Sequence, residues 1–204
     1  VALDGERCLC ALSRIPFTKV DRFADLSYSI GGEDYGVKRG LIALSFTTQG
    51  RVWTMYGIHL KSRLGSETDA VLNRKEREGE ATAVRNCIAK DAGAGMWILA
   101  GDTNDSPGSG TWKRLSQKGD MKLGTALRAL DSNGEAWTYH YTSHDVYERI
   151  DMLLCSPPMC EMLVEGSAKI FDGPGSEQAS DHRLIYVDLD FPDIPAAAQP
   201  EAGR

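Results

Sequence analysis

The sequence predicts a layered α/β sandwich with mixed or antiparallel strand pairing rather than a doubly wound parallel sheet. Short β-rich runs outnumber helical stretches, so most strands follow one another with no helix between them. The apolar run Met96-Trp97-Ile98-Leu99-Ala100 also stops abruptly at Gly101-Asp102-Thr103-Asn104-Asp105, as a buried strand does when it delivers polar groups to a sheet rim. In an extended segment Asp102 and Asn104 point to the same side, so a carboxylate and an amide face one ligand; the same letters also spell an Asx turn.

In chain order, Cys8 to Leu12 reads as a short strand broken at Ser13-Arg14-Ile15-Pro16, because proline lacks an N–H and drives its predecessor out of helix. The stretch to Tyr35 has little periodicity and a turn at Gly31-Gly32, and reads as a surface excursion. Two β-rich runs, Val37 to Thr47 and Arg51 to Leu60, meet at Gln49-Gly50 as a hairpin would. From Ser66 to Asp91 the composition turns helical, with Ala81, Val84 and Ile88 at helical spacing, Ser66-Glu67 as a start and Gly93 as a stop; Gly79 argues against one unbroken helix. A short helix is expected over Thr111 to Gln117, and strands over Ala136 to Tyr141, Arg149 to Cys155, Leu163 to Phe171 and Arg183 to Phe191. Asp172 to Ser176 is a loop by composition.

At 204 residues, 42% hydrophobic and 25% charged, the chain reads as one soluble domain over residues 1–191, followed by a Pro/Ala-rich tail over 192–204. No apolar segment is long enough for stable membrane insertion. The net charge of −6 lacks the basic footprint of a tight non-specific nucleic-acid binder, yet it leaves room for a nucleic-acid substrate held by local Lys and Arg plus a metal ion. Cys8, Cys10, Cys87, Cys155 and Cys160 show no paired zinc spacing and read mostly as small buried hydrophobes. His140 and His144 have the spacing of a helical zinc pair, but Tyr139, Tyr141 and Thr142 favour a strand and loop. Gly108 to Gly110 and Gly173 to Gly175 lack the Lys-Ser or Lys-Thr of a nucleotide P-loop. Arg39 reads as structural, and Arg77 and Glu78 as a solvated helix face.

Polar groups close several apolar runs: His59, Asp102 with Asn104, Asp151, and Asp181-His182. One such coincidence is cheap; together they imply a shared rim. Carboxylates, an amide and two imidazoles are what metal-assisted hydrolysis of a phosphate ester needs, since a hard cation takes carboxylate oxygen, a base handles water, and neutral or cationic donors hold the phosphoryl oxygens.

Ile58-His59-Leu60-Lys61-Ser62, Gly101-Asp102-Thr103-Asn104-Asp105, Arg149-Ile150-Asp151 and Ser180-Asp181-His182, in this order, resemble the motifs of the endonuclease/exonuclease/phosphatase superfamily, which includes DNase I and exonuclease III-type nucleases. Leu12-Ser13-Arg14-Ile15-Pro16 resembles a weaker stretch of the same group. The resemblance implies a DNase I-like four-layer fold, two mixed β-sheets packed face to face and flanked by helices. It implies that Asp102 handles the attacking water, Asn104 contacts a phosphate oxygen or fixes that water, and His182 donates to the phosphoryl oxygen. Asp151 would orient His182, His59 would act on the leaving group or bind phosphate, Lys61 and Ser62 would contact phosphate, and Asp181 would be a metal ligand for Mg2+ or Mn2+. The family's first-strand asparagine and principal glutamate ligand would lie upstream of Val1, since Glu6 and Glu33 sit in the wrong contexts, so an N-terminal part of the domain is expected to be missing here. The expected activity is phosphodiester hydrolysis, foremost of nucleic acid; the alternatives are a phosphomonoesterase or lipid phosphodiesterase of inositol phosphate or sphingomyelin type, and a non-catalytic binding module.

Overall fold

The computed structural model describes residues 2–3, 9–63 and 69–193. Glu6, Cys8, the helix start at Ser66-Glu67 and most of the expected tail lie outside the described residues.

The chain opens with β1 (Ala2–Leu3) and β2 (Leu9–Cys10), which pair antiparallel. The expected surface excursion instead holds β3 (Lys19–Phe23), an edge strand of the main sheet, and the hairpin β4 (Ser27–Ile30) and β5 (Glu33–Gly36). Charged residues along an edge strand hide it from a hydrophobic-pattern reading, because only Val20 and Phe23 turn to apolar neighbours. β6 (Leu41–Thr48) and β7 (Arg51–His59) form the expected hairpin, with Gln49 and Gly50 at φ of 47° and 72°, the left-handed pair that a two-residue turn requires.

A crossover through α1 (Ala70–Asp91) then returns the chain to β8 (Met96–Asp102), which lies parallel to β7. α1 is continuous through Gly79. A Cβ there would lie 2.2 Å from the Tyr28 ring, so glycine is what lets the β4–β5 hairpin lie against the helix. After α2 (Gly110–Ser116) come the short strands β9 (Gln117–Lys118), β10 (Met121–Lys122) and β11 (Thr125–Ala126). The expected strand over Ala136 to Tyr141 is shorter, β12 (Tyr139–Tyr141), paired with β13 (Val146–Glu148). β14 (Asp151–Cys155) is followed by α3 (Pro157–Cys160), β15 (Lys169–Ile170), α4 (Ser176–Ala179) and β16 (Ile185–Tyr186). The last two expected strands therefore reduce to a short ladder, β15 with β16, and the bridge Leu163–Leu189.

The main sheet has six strands in the order β11-β14-β8-β7-β6-β3, antiparallel except where β7 meets β8. Its two faces follow the two-residue alternation of each strand. Leu41, Ala43, Tyr56, Ile58, Leu99 and Met152 pack on Ala81, Val84 and Ile88 of α1 and on Trp112 and Leu115 of α2. Ile42, Leu44, Phe46, Ile98 and Leu153 face the other way, onto Leu9, Phe17, Ile185, Val187, Leu189 and Phe191. The class is the predicted α/β sandwich, and among the described residues the second strand layer consists of short ladders. No helix there is long and apolar enough to cross a membrane.

Candidate active site

Strand register builds the site. His59 pairs with Asp102 across β7 and β8, and Asp102 with Asp151 across β8 and β14. Directly paired residues share a face, so the three side chains form one row along the rim. Gly101 permits this closeness: its φ is +141°, and a Cβ would sit 2.0 Å from the Ile58 carbonyl oxygen. Beyond the strand ends the ladder continues, the Leu60 N–H donating to the Asp102 carbonyl and the Thr103 N–H to the Ile150 carbonyl, each at 2.9 Å.

The Asx turn is present, and it organises the rim. The Asn104 N–H donates to Asp102 Oδ1 at 2.6 Å, and Asn104, at φ 51°, adopts the left-handed conformation asparagine tolerates. Its side-chain Nδ2 donates to Asp102 Oδ2 and to the Leu60 carbonyl, both at 2.9 Å. The carbonyl partner fixes the amide orientation and commits both Nδ2 hydrogens, so Asn104 holds Asp102 rather than presenting a donor to the cleft. Arg39, buried as expected of a structural residue, donates to the same Leu60 carbonyl at 3.3 Å. Burial, and then the nearby Asp151 carboxylate, push the Asp102 carboxyl up to about 6. His59 Nε2 lies 3.4 Å from Asp102 Oδ2.

The facing wall is held by side chains. His182 Nδ1 sits 2.9 Å from Asp151 Oδ2, and the Ile150 and Asp151 N–H groups both donate to Thr138 Oγ1 at 3.1 Å. Burial opposes charge on His182, but the Asp151 hydrogen bond and the Asp102 and Asp181 carboxylates outweigh it, so its pKa is raised. Next in sequence, Arg183 is anchored on Asp131 at 2.7 Å and stacks over Trp137. His59, Ser62, Asp102, Asn104, Asp181 and His182 thus line one cleft of about 450 Å³.

Solved structures resemble this architecture. An endonuclease/exonuclease/phosphatase family protein from Leptotrichia buccalis C-1013-b superposes with a TM-score of 0.60 at 17% identity, over 88% of this chain and 64% of that one. An endonuclease/exonuclease/phosphatase from Bacteroides vulgatus gives 0.57 at 16%, over 86% and 66%. The chain has the endonuclease/exonuclease/phosphatase fold. Sphingomyelinase C from Streptomyces griseocarneus shares that fold, at a TM-score of 0.54 and 15% identity over 87% of this chain and 63% of that one. The chain thus spans just under two thirds of the length of these structures. No protein-family model matches the chain, nor does any curated protein sequence.

On this fold Lys61 turns away from the cleft, its Nζ donating to Asn73 Oδ1 at 2.8 Å with Glu76 at 3.9 Å. Glu33 is remote from the rim and accepts from the Tyr35 hydroxyl. His140 stacks on Tyr147 and His144 on Tyr141. Arg77, expected on a solvated face, is buried: it donates to the Asn73 carbonyl and faces Asp105 at 3.6 Å. Glu80 is fully buried in the same helix, accepting from the Lys38 and Lys61 N–H groups. Arg77 and Glu80 of this charged helix are therefore turned inward, where partners just beyond strand ends meet them.

Sequence reading did not single out Arg63, Tyr139, Tyr141 and Glu148, which also line the cleft. Arg63 follows directly on the His59 motif, and Tyr139 and Tyr141 alternate with His140; those were the available signals. Asp102, Asp151 and Asp181 are oxygen donors suited to a hard divalent cation. Among the described residues, however, no three His, Cys, Asp or Glu side chains converge to hold one, so these residues alone do not make a metal centre.

Proposed function

We propose that the protein is a phosphodiesterase acting in this cleft. The observation that supports the reading most is the coupling of two differently tuned acid–base groups: Asp102, with its raised carboxyl, and His182, its pKa raised beside Asp151, in a row with His59. Asp102, oriented by Asn104, accepts a proton from the attacking water as the new P–O bond forms. Asp151 holds Nδ1 of His182, which leaves Nε2 to donate to a phosphoryl oxygen where negative charge accumulates. His59 would donate a proton to the departing alkoxide oxygen, giving an alcohol and a phosphomonoester. Ser62 contributes a hydroxyl to the phosphate, and Lys61 would contribute its ammonium only after leaving Asn73.

The proposal includes Mg2+ or Mn2+ as cofactor, with Asp181 one ligand and the rest from outside the described residues; such an ion would act as a Lewis acid on the phosphoryl group. Nucleic acid is the first expected substrate. The shared fold with sphingomyelinase C supports phospholipid or inositol phosphate diesters as the second reading.

A panel of DNA, RNA, phospholipid and small chromogenic diesters tests the activity. Asp102→Asn and His182→Ala are each expected to lower kcat by about 10²–10⁴-fold without loss of fold, and kcat of the unaltered protein should rise with pH through about 6 as Asp102 ionises. Chelation should abolish turnover, and added Mg2+ or Mn2+ restore it. Unchanged rates in both variants would refute the assignment.

A further inference from the structure

Among the described residues, several basic side chains beside the cleft are committed to the protein itself. Lys61 is held by Asn73 on α1, Arg149 by the Leu127 carbonyl and the face of Trp112, and Arg183 by Asp131 and Trp137. The guanidinium on the cleft lining itself, Arg63, is bound through both terminal nitrogens by Glu148, with Nη1 3.0 Å from Oε1 and Nη2 on Oε2. Such fork-to-fork pairing is the strong geometry for arginine and carboxylate. Glu148 is held in turn: it ends β13, pairs with Tyr139, and its carbonyl accepts from the Thr138 N–H at 2.8 Å. The guanidinium keeps further N–H groups that could meet a phosphate, but its charge is already balanced by the Glu148 carboxylate beside it.

A polynucleotide brings a charge on each side of the scissile phosphate, and its binding depends on cations spaced along a groove. A lining whose guanidinium, Arg63, is neutralised by Glu148 offers a second phosphate little attraction. The half-buried rings of Tyr139 and Tyr141 offer uncharged surface in the same place. We infer that the cleft selects a single monoanionic phosphodiester with uncharged flanks over a polyanionic chain, and that Glu148 sets this preference by neutralising Arg63 on the cleft lining. The inference rests on the phosphodiesterase reading above and decides between its two substrate classes.

Glu148→Gln keeps the size of the side chain and removes the charge that holds Arg63. Two quantities are compared in the unaltered protein, in Glu148→Gln and in Glu148→Gln with Arg63→Ala. The first is kcat/KM on bis(4-nitrophenyl) phosphate against a short labelled single-stranded oligonucleotide. The second is oligonucleotide affinity by fluorescence anisotropy across a salt series. The unaltered protein should favour the small diester. Glu148→Gln should shift the ratio toward the oligonucleotide by about tenfold and steepen the salt slope by roughly one phosphate contact, and Arg63→Ala should reverse both. An unaltered protein that prefers the oligonucleotide, or a Glu148→Gln protein with ratio and salt slope unchanged, overturns the inference. Should no diester be turned over by any of the proteins, the phosphodiesterase reading falls, while the anisotropy gain and its reversal still decide whether Glu148 neutralises Arg63 toward anions.

Discussion

The two walls of the cleft are made differently. His59, Asp102 and Asp151 stand on the ends of long, adjacent central strands, where ladder register alone sets their spacing. Tyr139, Glu148, Asp181 and His182 stand on a three-residue ladder and the segment before β16, where position comes from side chains: Thr138 under Asp151, Asp151 against His182, Asp131 and Trp137 around Arg183. The contrast separates two ways of pre-organising chemistry. Backbone register resists substitution except where the backbone itself is crowded, whereas a side-chain relay is open to loss at each link.

Gly101→Ala is the largest expected disturbance and strikes the strand wall. It adds a Cβ against the Ile58 carbonyl in a conformation that L side chains rarely adopt, and should cost about 3 kcal/mol or more of stability in urea denaturation. A midpoint within experimental error of the unaltered protein would show that the strand wall yields more readily than its register implies.

Asp151→Asn strikes the joint between the walls. The amide no longer stabilises charged His182, and a fall in kcat of about 10–100-fold is expected, with little change in KM. The pH profile gives the sign of the coupling: the Asp151 carboxylate helps raise Asp102, so removing its charge should move the acidic limb from about 6 to lower pH. A limb that stays in place while the rate falls would mean that the walls communicate through His182 alone.

Thr138→Val is the smallest change and lies within the relay. It leaves the buried Ile150 and Asp151 N–H groups without their acceptor, and should destabilise by about 1–3 kcal/mol while lowering kcat a few-fold. Unaltered kcat alongside lost stability would assign Thr138 to the fold only.

The strand wall was legible in the sequence because each of its residues stands at one end of an apolar run, and an apolar run bounded by His, Asp or Asn is a local pattern. The relay wall was legible only in its motif residues, Asp181-His182. Arg63 and Glu148 meet across 85 positions, and nothing local marks a pair whose members come together only in the folded chain. The shortest ladder, β9 with β10, was hidden for another reason: two residues leave no period to detect. α1 misled in the other direction: Arg77 read as solvated because burial of charge is rare, and its partner, Asp105, lies on a distant segment.

The parallel contact between β7 and β8 bears on how the molecule assembles. His59 and Asp102 meet only after the chain has left the rim, run the length of α1 and come back, so this contact cannot form as a local hairpin can. Loop-closure entropy is spent before the pair yields any contact, and the hairpin of β6 and β7 is available much earlier. The chemistry of the cleft should accordingly be among the last features to appear in refolding, emerging with the docking of α1 onto the sheet rather than with the first strands.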